Sequence, residues 1–283
     1  MPYGVANKTG QPDIGTATEI IKTAWENGIQ EFDTAQAYGD SEIVLGHALT
    51  SLCLTDKARI ITKLDPNLDH RDSQSLEMAV GKSLRRLKVN SLYGLMLHRE
   101  AWLDNRNSDL EDVLLGLLRK GIVQHIGVSL YSHAKALHVL KSEIFDMIQI
   151  PANILDRRFV NVGVFQRAEE QGKQVYIRSV FLQGLLLMNL EDLPQRMLFA
   201  KPALVHLDQV SQKYRFTPLQ IALIYVKQKY PSTKLLFGAE SIEQVEQNIE
   251  AWKGSLPDQL MKEIEEIFFG IDEKIVDPAK WPA

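Results

Sequence analysis

One feature constrains the fold more than any other: β-rich runs and amphipathic helical runs alternate along the chain. "IQEFDTA", "ARIITKL", "LYGLMLH", "QHIGVS", "FDMIQIP", "QVYIRSV" and "TKLLFGA" read as strands, bounded by polar or glycine-containing turns. Between them lie segments such as "SQSLEMAVGKSLRRL" and "DLEDVLLGLLRKG", whose apolar residues recur at helical spacing. Strands alternating with helices of this length imply right-handed βαβ units around a parallel sheet. The expected architecture is a (β/α)8 TIM barrel formed by residues 1–283 as one domain. An open doubly wound sheet is the competitor. It usually carries a glycine-rich phosphate loop after its first strand, and no such loop occurs here.

The strand count gives seven, whereas the barrel needs eight. The first helix is expected near Thr16 and to stop at Gly28, and "MPYGVANKTGQPDIG" before it reads as a loop. The first barrel strand is therefore expected to be missing or truncated. On that reading the chain has unpaired strand edges, lower stability than a complete barrel and poor cofactor binding.

Composition narrows the function. The net charge of −4 offers no large positive field for a polyanion, which argues against nucleic-acid binding. The one cysteine, Cys53, excludes an internal disulfide and suits a reducing compartment. No secretory leader or membrane-length apolar run is present, so a cytoplasmic location is expected. His133 and His138, five apart, do not share a helical face, and no metal site is expected.

Catalytic side chains in a parallel barrel sit at the C-terminal strand ends. Those ends here carry Asp33, Lys63 and His98, with Tyr38 just beyond the strand bearing Asp33. A lysine ammonium beside a tyrosine favours the phenolate and lowers the phenol's pKa, and a carboxylate holds the lysine charged. A neutral histidine donates to a carbonyl oxygen. Together these groups form a general acid with an oxyanion site. Carbonyl reduction uses such a site, and its hydride has to come from a cofactor.

"FDTAQAYGDSEIVLG", residues 32–46, resembles the aldo-keto reductase signature, and the resemblance continues through "ITKL", "LMLH", "IGVS", "MIQI", "IRSVFLQGLLL" and "GAESIEQVEQN". It implies an NAD(P)H-dependent reductase of aldehydes or ketones, with sugar-sized carbonyl compounds among the substrates that an open pocket admits. By the same resemblance Tyr38 is the general acid, Lys63 its partner, Asp33 the lysine's partner and His98 an orienting donor. Ser129 and Gln149 match residues that hold the nicotinamide carboxamide, and Arg178 with Ser179 stands where many members stack a tyrosine. Leu130 replaces a common asparagine. In the segment that matches the adenosine end, Asn248 matches an adenine contact, and Ser241 with backbone N–H groups at the start of that helix can bind phosphate. Gly238 and Gln244 replace the lysine and arginine that often grip the 2′-phosphate. NADP(H) is therefore expected to be preferred only modestly, with NAD(H) also accepted. The same resemblance admits a second role, a cofactor-binding regulatory subunit like the potassium-channel β subunits that share this fold.

Overall fold

In a computed structural model, which describes residues 10–104 and 108–282, seven strands form one parallel sheet whose spatial order follows the chain order. They are β1 (Glu31–Asp33), β2 (Arg59–Lys63), β3 (Leu92–Leu97), β4 (Val123–Ser129), β5 (Met147–Pro151), β6 (Gln174–Arg178) and β7 (Lys234–Leu235). The helices are α1 (Ile14–Glu26), α2 (Ser41–Ser51), α3 (Ser73–Leu87), α4 (Ser108–Arg119), α5 (His133–Leu140), α6 (Val164–Glu170), α7 (Lys201–Tyr214), α8 (Pro218–Lys229), α9 (Ile242–Lys253), α10 (Asp258–Ile267) and α11 (Glu273–Val276). This is the expected barrel, lacking one strand among the described residues. Residues 1–9, on which the expectation of a missing first strand falls, lie outside them. Helix α1 packs against both α2 and α9, so the helical layer continues between β1 and β7.

The sheet's two faces separate by sequence parity, because successive strand side chains point to opposite sides. Ile60, Leu95, Leu97, Ile148, Val175 and Ile177 join the large core between sheet and helices. Their alternates Ile61, Met96, Met147 and Tyr176 form a separate cluster inside the barrel. Gly94 and Gly127 belong to this inner face: a Cβ at Gly94 would lie 2.9 Å from Met147 Sδ, and one at Gly127 would lie 2.8 Å from the Met147 carbonyl oxygen. Below this apolar layer sits a polar floor. Glu31 accepts from Tyr176 Oη at 2.7 Å and from Lys234 Nζ at 2.7 Å, and Lys234 also donates to Gln174 Oε1 at 3.0 Å. The Glu31–Lys234 ion pair joins the first and last strands across the barrel interior.

Helix ends follow local chemistry. Asp13, rather than Thr16, caps α1 by accepting from the Thr16 N–H at 2.8 Å. A short acceptor placed just outside a helix satisfies an N–H that has no intrahelical partner. Thr217 and Gln220 form a reciprocal capping box, with Pro218 opening α8 as its position in the sequence suggests. By contrast α2 has no side-chain cap. Ser41 Oγ instead accepts from Thr34 Oγ1 at 2.8 Å, and Glu42 turns inward to accept from Thr62 Oγ1 at 2.8 Å and pair with Arg86 at 3.3 Å. The two threonine contacts tie the start of α2 to the end of β1 and to β2, and the Arg86 pair ties it to α3.

Candidate active site

The inner-face parity that gives Glu31, Ile61, Met96, Gly127, Met147 and Tyr176 reaches, two residues on, Asp33, Lys63, His98, Ser129, Gln149 and Arg178. The sequence-expected residues of six consecutive strands thus rim one mouth of the barrel.

At its centre Lys63, with a fully buried side chain, donates to Asp33 Oδ2 at 2.5 Å and to the Thr34 carbonyl at 2.9 Å. Gln149 Nε2 donates to the other Asp33 oxygen at 2.9 Å. Both carboxylate oxygens are therefore engaged, and the lysine's charge is compensated where water does not reach it.

Tyr38 lies in the β1–α2 turn, where its N–H donates to the Ala35 carbonyl at 3.0 Å and its own carbonyl accepts from Ser41 N–H at 3.1 Å. Gly39 follows with φ 59°, a left-handed conformation that glycine adopts without steric cost. Gln36 anchors this turn to its neighbours: Nε2 donates to Ser83 Oγ at 2.8 Å and Oε1 accepts from Asp65 N–H at 2.8 Å. The Tyr38 ring meets the His98 ring edge-on, with centroids 5.6 Å apart, and Lys63 Nζ lies 5.2 Å from the Tyr38 centroid.

The electrostatics differ from the sequence expectation at one point. Burial, with the Asp33 charge adding to it, pushes the Tyr38 phenol up to about 12 rather than down. Arg178 opposes the rise. Tyr38 thus holds its proton throughout the neutral range. Burial and the charge of Lys63 bring His98 down to about 4, so its ring is neutral. His98 Nδ1 is buried and has no hydrogen-bond partner among the described residues.

Ser129 and Gln149 are buried side by side, paired in the β4–β5 register. Ser179 follows β6 with φ 61°, and its carbonyl accepts from Asn153 Nδ2 at 3.1 Å. Arg178 stacks on Tyr131, its guanidinium carbon 4.0 Å from the ring centroid. At the other end of the chain Ser241 caps α9 by accepting from Gln244 N–H at 3.3 Å, while Gln244 Oε1 accepts from Glu240 N–H at 2.8 Å. Glu243 bonds its own N–H and the Ser241 hydroxyl, which hold its carboxyl below the usual range. Asn248 is buried, and its Oδ1 has no partner among the described residues. Gly238 is exposed beyond β7.

Sequence reasoning missed Gln36, Tyr131, Asn153 and Glu100. The Glu100 carboxylate accepts from the Tyr131 and Ser132 N–H groups at 2.7 and 2.9 Å, fixing the loop after β4. Only the polar character of these loops hinted at them, since their partners lie far away in sequence. Trp102 is buried and stacks on His70 with centroids 5.3 Å apart. No cluster of three metal-ligating side chains occurs among the described residues. None of their helices is long and apolar enough to cross a membrane. A cleft of about 700 Å³ on the barrel flank, near Arg157 and Phe269, shares no residue with the mouth. Tyr38, Lys63, Asp33 and His98 lie together at the mouth.

The chain is also similar to known proteins along most of its length. The chain is 26% identical to a Schizosaccharomyces pombe (strain 972 / ATCC 24843) protein that bears the provisional name voltage-gated potassium channel subunit beta, over 90% of this chain and 85% of that one. It is 25% identical to the NADH-specific methylglyoxal reductase of Escherichia coli (strain K12), over 91% of this chain and 90% of the relative. Among solved structures it is similar to aldo-keto reductase AKR11C1 from Bacillus halodurans in its holo form, with a TM-score of 0.74, 22% identity, and coverage of 94% of this chain and 91% of that one. The model of the Aldo/keto reductase family matches residues 3–268. With nearly its whole length matched, the chain belongs to the aldo/keto reductase family of NAD(P)H-dependent oxidoreductases.

Proposed function

We propose that this protein reduces an aldehyde or ketone to an alcohol, with Tyr38 as the proton donor. The observation that carries the reading is the convergence of Tyr38, His98 and the Lys63–Asp33 pair at one barrel mouth. NAD(P)H, when bound, supplies the hydride to the carbonyl carbon. Tyr38, protonated up to about pH 12 in the free protein, gives its phenolic proton to the oxygen that becomes the alcohol. Lys63 supplies the positive charge that favours the phenolate left behind, and Asp33 with Gln149 keeps that ammonium in place. Neutral His98 orients the carbonyl oxygen by a ring N–H.

The residues present fit the cofactor. Asn248 offers a buried acceptor, unpartnered among the described residues and suited to the adenine amino group, and Ser129 and Gln149 offer buried polar groups beside the mouth for the carboxamide. We assign Ser179, Gly238, Ser241 and Gln244 to the same cofactor path. The E. coli relative is named for NADH, and one solved relative, from Klebsiella pneumoniae, is a complex with NADPH. Acceptance of both cofactors, with NADP(H) favoured modestly, follows from the absence of a cation at Gly238 and Gln244.

The test is steady-state turnover of methylglyoxal and 4-nitrobenzaldehyde with each cofactor. Multiple turnovers abolished by Tyr38→Phe support the proposal. The likeness to the channel-subunit homologue favours one alternative, a regulatory subunit that binds cofactor without turning over substrate. Stable cofactor binding with no turnover of any carbonyl substrate, together with recovery of a partner, favours that alternative.

A further inference from the structure

Among the described residues, Arg178 is a cation without a counter-ion at the barrel mouth. It ends β6 on the inner face, two residues above Tyr176, whose hydroxyl reaches Glu31 inside the barrel. Its charge acts on both Tyr38 and His98, so it stands within electrostatic reach of the reacting groups. Yet no carboxylate pairs with it among the described residues. Asp33 is taken by Lys63 and Gln149, and Glu100 by two backbone N–H groups.

Neutral contacts hold the guanidinium instead. Nη2 donates to the Leu130 carbonyl at 3.1 Å, Nη1 to Ser179 Oγ at 3.4 Å, and one face lies on Tyr131. These contacts fix its plane and leave its charge uncompensated. A guanidinium has five N–H donors in a rigid fork, and the two bonds described here leave others to bind a planar anion. The stack on Tyr131 covers one face of the guanidinium and leaves its N–H edge for an anion.

We propose that Arg178 anchors the anionic end of the substrate, and that the preferred substrates are carbonyl compounds bearing a carboxylate. The proposal rests on the reading of the mouth as a carbonyl-reducing site. Tyr131 and Leu130 act as positioning residues, and Glu100 holds their loop.

The test compares 4-carboxybenzaldehyde with its neutral methyl ester, methyl 4-formylbenzoate. The wild-type protein is expected to favour the carboxylate by about tenfold or more in kcat/KM, the size of one charge-assisted contact. Arg178→Met should raise KM for the carboxylate by about that factor, leave the ester's KM within about twofold, and leave NADPH affinity by fluorescence titration unchanged. Arg178→Lys should recover part of the preference. Equal use of acid and ester by the wild type, or an equal loss on both in Arg178→Met, overturns the proposal. So does a loss of NADPH affinity matching the loss on the carboxylate. If the wild type turns over neither these aldehydes nor methylglyoxal and 4-nitrobenzaldehyde, the reductase reading fails by itself. Calorimetric binding of 4-(hydroxymethyl)benzoate then decides the anion site: tighter binding to wild type than to Arg178→Met supports it, and equal binding overturns it.

Discussion

Gln149 and Asp33, 116 residues apart in sequence, share a 2.9 Å hydrogen bond that fills the one carboxylate oxygen Lys63 leaves open. The pair makes the lysine's counter-ion rigid, and it sets the expected behaviour of Asp33→Asn. That substitution leaves a buried ammonium without its partner charge. Stability should fall by about 3–5 kcal/mol, measured by urea denaturation. The double variant Asp33→Asn/Lys63→Met should recover much of the loss, giving a coupling energy well above that of an exposed pair.

Replacing Tyr38 by phenylalanine keeps the ring that meets His98 and removes only the hydroxyl. The carbonyl reduction rate should drop by about 10²–10⁴-fold. NADPH affinity should stay within about twofold, since the phenol is assigned to the reacting oxygen. Single-turnover absorbance at the reduced-nicotinamide band separates these two effects.

The depressed His98 pKa has a stability consequence with a definite sign. An unfolded histidine takes up its proton near 6.5, whereas the folded ring resists until about 4. Between those values the unfolded chain binds more protons, so the contribution is complete above 6.5 and is lost as pH falls toward 4. The Tm of the wild type should therefore decline over that window more steeply than that of His98→Phe. Matching Tm-versus-pH curves for the two proteins would show that His98 does not carry this linkage.

Gly46 illustrates why the signature segment ends as it does. A Cβ there would lie 2.2 Å from the Arg86 carbonyl oxygen and 2.8 Å from the Leu87 backbone, where neither neighbour is a side chain able to swing away. Gly46→Ala should cost about 1–3 kcal/mol as overpacking between α2 and α3. Gly116 in α4 is the control: a Cβ there meets nothing within 4 Å. Gly116→Ala should stabilise by up to about 1 kcal/mol through helix propensity. Paired chemical denaturation of the two variants reads the opposite signs.

Cofactor discrimination should respond at the start of α9. The Glu243 carboxylate occupies the helix N-terminus beside Ser241, where a phosphate would otherwise gain from the same dipole. Glu243→Gln should tighten NADPH by about two- to fivefold and leave NADH nearly unchanged. Gln244→Arg should act in the same direction and more strongly. Fluorescence titration of both cofactors checks this, and equal responses would place these residues away from the 2′-phosphate.

Much of this was legible in the chain. Strand segments announce themselves by β-branched and apolar runs, and the ends of those strands display Asp33, Lys63, His98, Ser129, Gln149 and Arg178 directly. What the chain hid depends on distance in sequence. Gln36 reaching Ser83, Asn153 reaching Ser179 and Glu100 reaching the loop after β4 are long-range pairings that no local pattern encodes. The sign of the Tyr38 shift was equally hidden, because burial of the phenol and its nearness to the Asp33 charge are properties of the fold. Helix α1 starts at Ile14 rather than near Thr16 for a simpler reason: Asp13, just outside the helix, accepts from the Thr16 N–H.

The mouth residues share one parity with the layer beneath them, and this makes the site a matter of counting. Deleting one residue within β2 would turn the position of Lys63 outward and offer its apolar or hydroxyl neighbour to the interior. Deleting two would shorten the strand yet keep its facing. Reading-frame-preserving length changes should therefore divide into odd ones that erase the chemistry and even ones that merely lower or raise it, a distinction that substitution scanning alone would never reveal.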